Sequence, residues 1–361
     1  MNNTGLYIHI PFCLSKCPYC DFYSLKFECE TAQRYKTVVI DNLKAVSGIQ
    51  FDTVYFGGGT PILLWREICE ILSAIGDRIS ENAEITIEAN PCCTSIDALC
   101  SLKHSGVNRA SFGLQSGCDN ELKMLGRRHD VKQGAEAVYN AEKAGFDNIS
   151  ADIMLGVPLQ DMTSLEQTLG YMNSLPLTHI STYMLKIEPN TPFGKNTPTL
   201  PDEDCVAELY LKTVDYLGQN GFEQYEISNF AKQGFESRHN LKYWRCEKYI
   251  GIGPSAHSFF GGKRYAVGRD LDEFLSSVPQ KTYVTDDSPA SYEEWSMLKL
   301  RLAEGLDFKT AEDCYGVTKS VLLEKCKPIP KNLIRIDDKK IRLTPEGFLV
   351  SNAVIGIISD I

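Results

Sequence analysis

The sequence lacks the features of a membrane protein or a nucleic-acid-binding protein. No apolar stretch of the 361 residues approaches the ~18 residues that a membrane-spanning helix needs. Lysine and arginine total 37 against 47 aspartates and glutamates, so the formal net charge is −10 and a basic face for nucleic acid is not expected. The N-terminal segment has no basic residue before Lys16, which makes it a poor signal peptide. We therefore expect a cytoplasmic protein with no integral membrane segment and no nucleic-acid partner.

Cysteine, in contrast, is abundant, with 13 residues, although disulfides are rare in the cytoplasm. Three cysteines form the pattern CxxxCxxC within GLYIHIPFCLSKCPYCDFYS, namely Cys13, Cys17 and Cys20. Three thiolates from one loop can hold three irons of a 4Fe–4S cluster and leave the fourth iron open for a small-molecule ligand. A zinc site completed by Cys29 or His9 is the alternative interpretation of this spacing. The other ten cysteines are expected to be small buried hydrophobes.

Strand-like and helical segments alternate through the first half of the chain. The predicted strands cover residues 6–10, 53–56, 84–89, 109–114, 148–155 and 179–185. The helix predicted at 64–75 has its apolar residues spaced as on one helical face. Six consecutive strand–helix units imply a parallel sheet with right-handed crossovers, and six is short of the eight that close a full barrel. The sequence therefore predicts an α/β fold with a partial (β/α)6 barrel over residues 1–200.

The alternation ends after this region. Residues 201–285 are rich in glycine and aromatics, and we expect loops and short strands that pack over one end of the barrel. From residue 286 to 361 the pattern becomes helix, helix, hairpin, helix, with Pro345 in the first turn of the last helix. This order predicts a winged-helix-like α+β accessory domain. Because the chain is acidic, a packing or partner role is favoured over DNA binding.

The turn GGGTP, residues 57–61, follows the second predicted strand directly. Glycines let a backbone approach a ligand without interference from a Cβ atom. Placed one strand–helix unit after the CxxxCxxC loop, the turn makes the sequence resemble the radical S-adenosylmethionine superfamily. That resemblance implies that the open iron chelates the amino and carboxylate groups of S-adenosylmethionine. An electron, supplied by a donor such as a flavodoxin or ferredoxin, would then cleave the sulfonium and release a 5′-deoxyadenosyl radical.

Further motifs are similar to the oxygen-independent coproporphyrinogen III oxidase family over nearly the whole chain. They are, in order, YIHIPFCLSKCPYCDF, FGGGTP, IEANP, RASFGLQS, LGRRHD, DIMLGVPLQ, YMLKIEPNTPF, YEISNFA, SRHNLKYW and YIGIGPSAHS, with RLAEGL and LTPEG in the accessory region. The resemblance implies S-adenosylmethionine contacts at Tyr7, Gly58, Gly59, Thr60, Glu88, Gln115, Arg127 and Asp152. Each of these residues lies at or near the carboxyl end of a strand, where barrel active sites are built.

Two departures separate the sequence from the oxidases of that family. The oxidases carry a fourth cysteine two residues after the third, where this sequence has Phe22, and an extension ahead of the cluster loop, where only four residues precede Gly5. Both departures resemble a sister group of heme chaperones, HemW, which bind heme and pass it to acceptor proteins. HNLKYW is similar to the HNxxYW motif of that group, which implies heme contacts at His239, Tyr243 and Trp244.

The chemistry of these side chains suits heme, because a neutral imidazole is a good axial iron ligand and aromatic rings offer flat apolar faces. His257 in GPSAHS is a weaker alternative ligand, and Arg238 or Arg245 are candidates for the heme propionates. The favoured function is a heme chaperone that retains a 4Fe–4S cluster and S-adenosylmethionine and delivers heme to acceptors of unknown identity. The alternatives are an oxygen-independent coproporphyrinogen III oxidase, which is an enzyme, and a structural zinc protein.

Overall fold

The structure is a computed structural model that describes residues 4–360. Its first half alternates strands and helices, with short 3₁₀ turns at Pro61–Leu64, Gly76–Arg78 and Pro91–Cys93. The elements are β1 (Thr4–Ile10), β2 (Phe12–Cys13), β3 (Leu25–Lys26), α1 (Cys29–Ala45), β4 (Phe51–Gly58), α2 (Trp65–Ile75), β5 (Ile79–Ala89), α3 (Ile96–His104), β6 (Arg109–Gln115), α4 (Asp119–Met124), α5 (Val131–Lys143), β7 (Asn148–Leu155), α6 (Met162–Asn173) and β8 (His179–Met184).

Strands β1, β4, β5, β6, β7 and β8 lie side by side in that order, and every neighbouring pair is parallel. This confirms the predicted (β/α)6 arrangement. Strand β5 begins at Ile79, five residues before the predicted start at residue 84. Ser80, Glu81 and Asn82 are partly or fully exposed, so the start of this strand carries no apolar signal in the sequence.

The two faces of these parallel strands differ in chemistry. Residues such as Ile8, Val54 and Ile87 are fully buried in the hydrophobic core together with the apolar faces of the helices. The alternate positions, including Glu88 and Asp152, point to the opposite face because successive side chains in a strand alternate. The interior of the barrel is therefore polar and aromatic, and it is available for a ligand site.

The central segment extends the sheet at both edges. Its elements are α7 (Pro192–Lys195), α8 (Glu203–Gln219), β9 (Glu223–Gln224), β10 (Asn229–Ala231), α9 (Arg238–Trp244), β11 (Tyr249–Ile252), β12 (His257–Phe260), β13 (Lys263–Val267), α10 (Leu271–Leu275) and β14 (Thr282–Asp286). Within residues 4–360, twelve strands form one sheet in the order β14-β13-β12-β11-β1-β4-β5-β6-β7-β8-β10-β9. The barrel is open, and these strands join its edges, whereas the sequence predicted that they would pack over one end.

Helix α9 lies against the start of β4 and against Glu84 in the middle of β5. The Glu84 carboxylate accepts hydrogen bonds from the N–H groups of the first two helix residues, at 3.0 and 2.9 Å. Lys242 is buried and its Nζ lies 2.9 Å from Asp52 Oδ2. A Cβ atom on Gly5 would lie 2.9 Å from Lys242 Cδ and 3.2 Å from His239 Cε1, so glycine makes room for the helix. The first turn of α9, with His239, therefore lies towards the end of the barrel opposite the cysteine loop.

The C-terminal segment has a winged-helix-like order, as predicted. Its elements are α11 (Tyr292–Lys299), β15 (Leu306–Asp307), α12 (Phe308–Tyr315), α13 (Lys319–Cys326), β16 (Ile334–Ile336), β17 (Lys340–Leu343), α14 (Pro345–Leu349) and α15 (Ser351–Ser359). Strands β16 and β17 form the predicted hairpin, β15 adds the third strand, and Pro345 begins α14. Helix α12 was not predicted. The Ile227 N–H donates to the Arg301 carbonyl oxygen, which ties this domain to the barrel.

The sequence shows no apolar stretch long enough to span a membrane. Within the described residues of the structure, no helix is long and apolar enough to cross one.

The expectation that the ten cysteines outside the cluster loop are buried is wrong for most of them. Cys326 is buried, whereas Cys29, Cys100 and Cys314 are exposed and the others are partly exposed. The exposed cysteines lie on helices, where one face of an amphipathic helix meets solvent.

Candidate functional site

The cysteine loop begins where β1 ends. Cys13 is the last residue of β2, and its carbonyl oxygen accepts a hydrogen bond from the Phe27 N–H at 3.0 Å. The loop borders a cavity of about 330 Å³ at the carboxyl end of the barrel, here called the cluster cavity. The three cysteines of the motif and seven predicted S-adenosylmethionine contacts line it: Cys13, Cys17, Cys20, Gly58, Gly59, Thr60, Glu88, Gln115, Arg127 and Asp152.

Two of the three thiols have a hydrogen-bond donor beside them. Thr60 Oγ1 donates to Cys13 Sγ at 3.4 Å, and Arg127 Nη1 donates to Cys17 Sγ at 3.7 Å. Burial acts in the opposite direction at Cys20 and raises the pKa of its thiol above the usual value. A hydroxyl and a guanidinium beside sulfur stabilise its negative charge, which iron ligation requires. The donor set therefore fits a 4Fe–4S cluster, which would supply an electron to a bound ligand.

The described part of the structure provides no fourth ligand for the alternative zinc site. In the described chain, no three His, Cys, Asp or Glu side chains are gathered as around a single metal ion. His9 Nδ1 is bonded to the Tyr7 hydroxyl at 3.0 Å and Nε2 to the Tyr23 carbonyl oxygen at 2.9 Å. Cys29 begins α1 and does not line the cluster cavity. A cluster gives each thiolate a different iron, so thiols spread around one cavity suit it.

Glycine at the GGGTP turn is required by close packing. Gly58 has φ of +111°, and a Cβ atom there would lie 2.6 Å from His9 Cε1. A Cβ atom on Gly59 would lie 2.6 Å from the Phe12 carbonyl oxygen, a backbone atom that cannot rotate away. The turn therefore lies directly against the segment that leads into the cysteine loop.

The backbone N–H groups of the turn are already used. Those of Gly59 and Thr60 donate to two carbonyl oxygens of the segment before Cys13, each at 2.8 Å. The Gly58 N–H donates to Glu88 Oε2 at 3.0 Å. With its N–H groups occupied, the backbone of the turn can offer only carbonyl oxygens to a ligand, and carbonyl oxygens accept hydrogen bonds from an amino group.

Two buried carboxyl groups face the cluster cavity. Burial raises the pKa of Glu88 to about 7, although the Tyr55 hydroxyl donates to its Oε1 at 2.8 Å. Burial also raises the pKa of Asp152 to about 6, and Arg109 and Arg127 act in the opposite direction. A buried carboxylate is stabilised when a ligand brings a positive charge or hydroxyl donors to it. S-adenosylmethionine carries an ammonium group, a sulfonium and ribose hydroxyls.

Sequence reasoning missed several residues of this site. Tyr55 and Arg109 share the inner strand faces with the predicted residues, and Tyr183 and Ser111 line the cluster cavity. Arg109 is 1% exposed, and its Nε and Nη1 have no partner within the described residues. A count in steps of two residues back from the predicted segments could have found them: Tyr55 precedes Gly57 of the GGGTP turn by two, and Ser111 and Arg109 precede Gln115 by four and six.

A second cavity of about 580 Å³, here called the lateral cavity, adjoins the first. Phe22, Glu88 and Tyr183 line both cavities. Tyr7, expected to contact S-adenosylmethionine, lines the lateral cavity and is absent from the cluster cavity walls. The remaining walls are aromatic and polar: His9, Asp21, Tyr23, Tyr55, Asn240, Tyr243, Tyr249, Ser255, His257 and Arg269.

The HNxxYW motif reaches the lateral cavity only in part. Tyr243 lines the cavity, whereas Trp244 and His239 do not. His239 has no exposed surface, its Nδ1 lies 2.8 Å from Thr53 Oγ1, and its Nε2 lies 2.8 Å from the Tyr243 hydroxyl. Burial, with the nearby positive charge of Lys242, lowers the pKa of His239 to about 3. The ring is therefore neutral and has both nitrogens hydrogen-bonded inside the protein.

The arginines expected near heme propionates are engaged elsewhere. Arg238 Nη1 donates to the Asn82 carbonyl oxygen at 2.6 Å, and Arg245 forms an ion pair with Glu304 at 3.4 Å. The arginine that does line the lateral cavity is Arg269, which no sequence pattern singled out.

Comparisons with known proteins agree with this geometry. The family described as "Radical SAM superfamily" matches residues 7–172, and the "HemN C-terminal domain" matches residues 287–350. The heme chaperone HemW of Bacillus subtilis (strain 168) is 34% identical over 372 residues, and the alignment covers 97% of each chain. The heme chaperone HemW of Escherichia coli (strain K12) is 40% identical over 264 residues, covering 70% of this chain and 69% of that one.

A solved structure of coproporphyrinogen III oxidase (HemN) from Escherichia coli has the same fold. Its TM-score is 0.85 at 20% identity, with 99% of this chain and 90% of that chain covered. Membership of the radical SAM superfamily implies a 4Fe–4S cluster and S-adenosylmethionine, and the residues of the cluster cavity fit both. The alignment with the Bacillus subtilis relative and the match to the HemN C-terminal domain extend the similarity over the accessory domain as well as the barrel. The chain therefore belongs to the HemW family of the radical SAM superfamily.

Proposed function

We propose that this protein is a heme chaperone, which binds heme and passes it to acceptor proteins. The observation that carries the proposal is the lateral cavity. Its volume of about 580 Å³ lies within the range of roughly 300–1,000 Å³ that is usual for ligand pockets. Tyrosine rings form much of its wall, and such rings offer flat apolar faces to a porphyrin. The HemW relatives are named heme chaperones, which supports the same function.

Phe22 supports a chaperone rather than an oxidase. It stands where the oxidases of the wider family carry a fourth cysteine, it is 65% exposed, and it lines both cavities. An aromatic ring at this boundary adds apolar surface for a porphyrin and supplies no thiol. The fold shared with the HemN structure does not distinguish the two functions, because one fold can host several activities.

The cofactor assignments are part of the proposal. Cys13, Cys17 and Cys20 would hold the cluster, and the carbonyl oxygens of the glycine turn would accept from the amino group of S-adenosylmethionine. Glu88, Gln115, Arg127 and Asp152 would contact the rest of that ligand. The predicted S-adenosylmethionine contacts in the turn are Gly58, Gly59 and Thr60. Tyr7 is assigned to the lateral cavity, because it does not line the cluster cavity.

The cellular setting follows from this function. The acceptors would be heme proteins, and a flavodoxin or ferredoxin would supply electrons if S-adenosylmethionine is cleaved. The cytoplasmic location expected from the sequence belongs to the same proposal.

Anaerobic reconstitution followed by heme titration tests the function. We expect stoichiometric heme binding with a Soret band, and transfer of that heme to the apo-form of a b-type heme protein. The same preparation, incubated with coproporphyrinogen III, S-adenosylmethionine and a reductant, should form no protoporphyrinogen. Absence of heme binding would refute the chaperone function, and catalytic formation of protoporphyrinogen would establish the oxidase.

A further inference from the structure

The proposed function requires a ligand for the heme iron, and the structure narrows the choice. An axial ligand must reach the cavity that holds the porphyrin and must offer an unshared electron pair. Neutral histidine meets this requirement, whereas a tyrosine must first lose a proton whose pKa is near 10. No cysteine or methionine is among the described residues that line the lateral cavity, so its histidines are the candidates.

Four of the six histidines are buried. His9 and His239 have both ring nitrogens hydrogen-bonded, as described above. His179 is bonded to Ser150 and Tyr225 at 2.8 Å each. His129 lies behind β6, with Nε2 3.3 Å from a backbone carbonyl oxygen, and lines neither cavity. None of the four presents a free nitrogen to the lateral cavity.

His257 and His104 are the exposed histidines, and only His257 lines the lateral cavity. Among the described residues, neither ring nitrogen of His257 has a hydrogen-bond partner, while the other cavity histidine, His9, is fully engaged. His257 is exposed at the edge of β12 and lines the lateral cavity, so its ring is open to a ligand bound there.

The backbone that carries His257 is held firmly. A Cβ atom on Gly251 would overlap the His257 carbonyl oxygen, so β12 lies directly against β11 at this point. The Gly251 N–H also donates to Ser258 Oγ at 2.9 Å. A side chain on such a strand starts from a fixed position, which favours ligation because little ordering remains to be done on binding.

Arg269 provides a cationic contact for a heme propionate. Its Nη2 donates to the Asp21 carbonyl oxygen at 2.7 Å, and no carboxylate lies within ion-pair distance in the described chain. A guanidinium has five N–H donors, so most remain available to a carboxylate. Asp21 also lines this cavity, and its negative charge favours a propionate on the side of Arg269.

We infer that His257 is the axial ligand of the heme iron in the lateral cavity and that Arg269 binds a heme propionate. His239 is then a positioning residue, because its Nε2 holds the Tyr243 hydroxyl and thereby the aromatic wall. This inference rests on the proposed heme-binding function and assigns its iron ligand.

Paired titrations with ferric heme and with iron-free protoporphyrin IX test the inference. His257→Ala should weaken heme binding by about tenfold or more, as losses at metal sites commonly do, and should shift the Soret band. Its affinity for protoporphyrin IX should not change, because that molecule has no iron to ligate. Added imidazole should restore the Soret position of the wild type. His104→Ala is the matched control, since His104 is also exposed but lies on α3, outside the lateral cavity.

His239→Ala should give the opposite signature. Both porphyrins should bind more weakly by the same factor, with the Soret position of heme unchanged. Tyr243→Phe removes the same hydrogen bond while keeping the ring, and it tests the positioning role if the His239→Ala chain does not fold. Arg269→Gln should weaken heme but not its dimethyl ester, which lacks propionate charges.

The outcomes separate this inference from the function on which it rests. If the wild type binds no heme, the proposed function itself fails. If the wild type binds heme and His257→Ala retains its affinity and Soret position, the iron-ligand assignment fails and the function stands. A shifted Soret band in His239→Ala, with unchanged protoporphyrin IX affinity, would transfer the ligand role to His239.

Discussion

Replacing Gly59 with alanine tests whether the glycine turn holds the cysteine loop in place. The new Cβ atom would lie 2.6 Å from the Phe12 carbonyl oxygen and 3.0 Å from that of Ile10. Ordinary Cβ contacts begin at 3.4 Å, so relief requires a displacement of about 0.8 Å, the difference between 3.4 and 2.6 Å. Both obstructing atoms belong to the backbone, and Phe12 directly precedes Cys13. Overpacking of this kind costs about 1–3 kcal/mol, and the displacement moves the first thiol.

Two measurements would detect that displacement. The iron and sulfide content after anaerobic reconstitution should fall in Gly59→Ala, and the free energy of unfolding in urea should fall with it. Gly170→Ala is the matched control, because Gly170 lies inside α6 and an added methyl group there would meet no neighbouring element within 4 Å. Alanine in a helix interior should raise stability by about 0.5–1 kcal/mol. Full cluster content and unchanged stability in Gly59→Ala would refute the packing argument.

Three further predictions concern buried charges. Burial raises the pKa of Glu226 from 4.5 to about 7, so the native chain binds more protons in that window and its free energy of unfolding falls as pH rises through it. Glu226→Gln should remove about 3 kcal/mol of this fall, measured by urea unfolding below pH 4.5 and above pH 7. An unchanged dependence of the unfolding free energy on pH would contradict the prediction. Tyr55→Phe should raise the pKa of Glu88 beyond about 7, because the hydrogen bond from the Tyr55 hydroxyl lowers it. The pH dependence of S-adenosylmethionine binding, measured by equilibrium dialysis, should then move to higher pH. Identical binding profiles in the wild type and the variant would exclude this coupling. Lys242→Met should cost about 3–5 kcal/mol by leaving Asp52 without its cation, and adding Asp52→Asn should recover most of that loss in the same unfolding assay.

The parallel barrel was predictable because its signals are local. Strand β7 matches its prediction of residues 148–155, since five of its eight residues are apolar and a helix precedes it. The edges of the sheet were not predictable in the same way. Strand β11 pairs with β1, although Tyr249 and Gly5 are far apart in sequence. Strands of two to five residues carry little periodicity, so their pairing depends on contacts that no sequence window contains.

The cluster cavity was largely predictable, because its chemistry dictates residue types. Thiolates ligate iron, and glycine alone fits beneath His9 at the turn. The heme motif was harder to place. HNLKYW identifies an aromatic and histidine-containing segment, but whether His239 is exposed to a cavity depends on which way α9 faces. Glu84 and Thr53, on strands more than 150 residues earlier, direct His239 inward. His257 and Arg269 gain their role from position at a cavity rim, which sequence patterns do not report.

The wall shared by the two cavities would couple the binding of the two ligands proposed for them. Phe22, Glu88 and Tyr183 face both spaces, so a ligand that shifts these side chains in one cavity changes the binding surface of the other. Any factor by which S-adenosylmethionine alters heme affinity must equal the factor by which heme alters S-adenosylmethionine affinity. A carrier built in this way can use one small molecule to set when its cargo is held and when it is released.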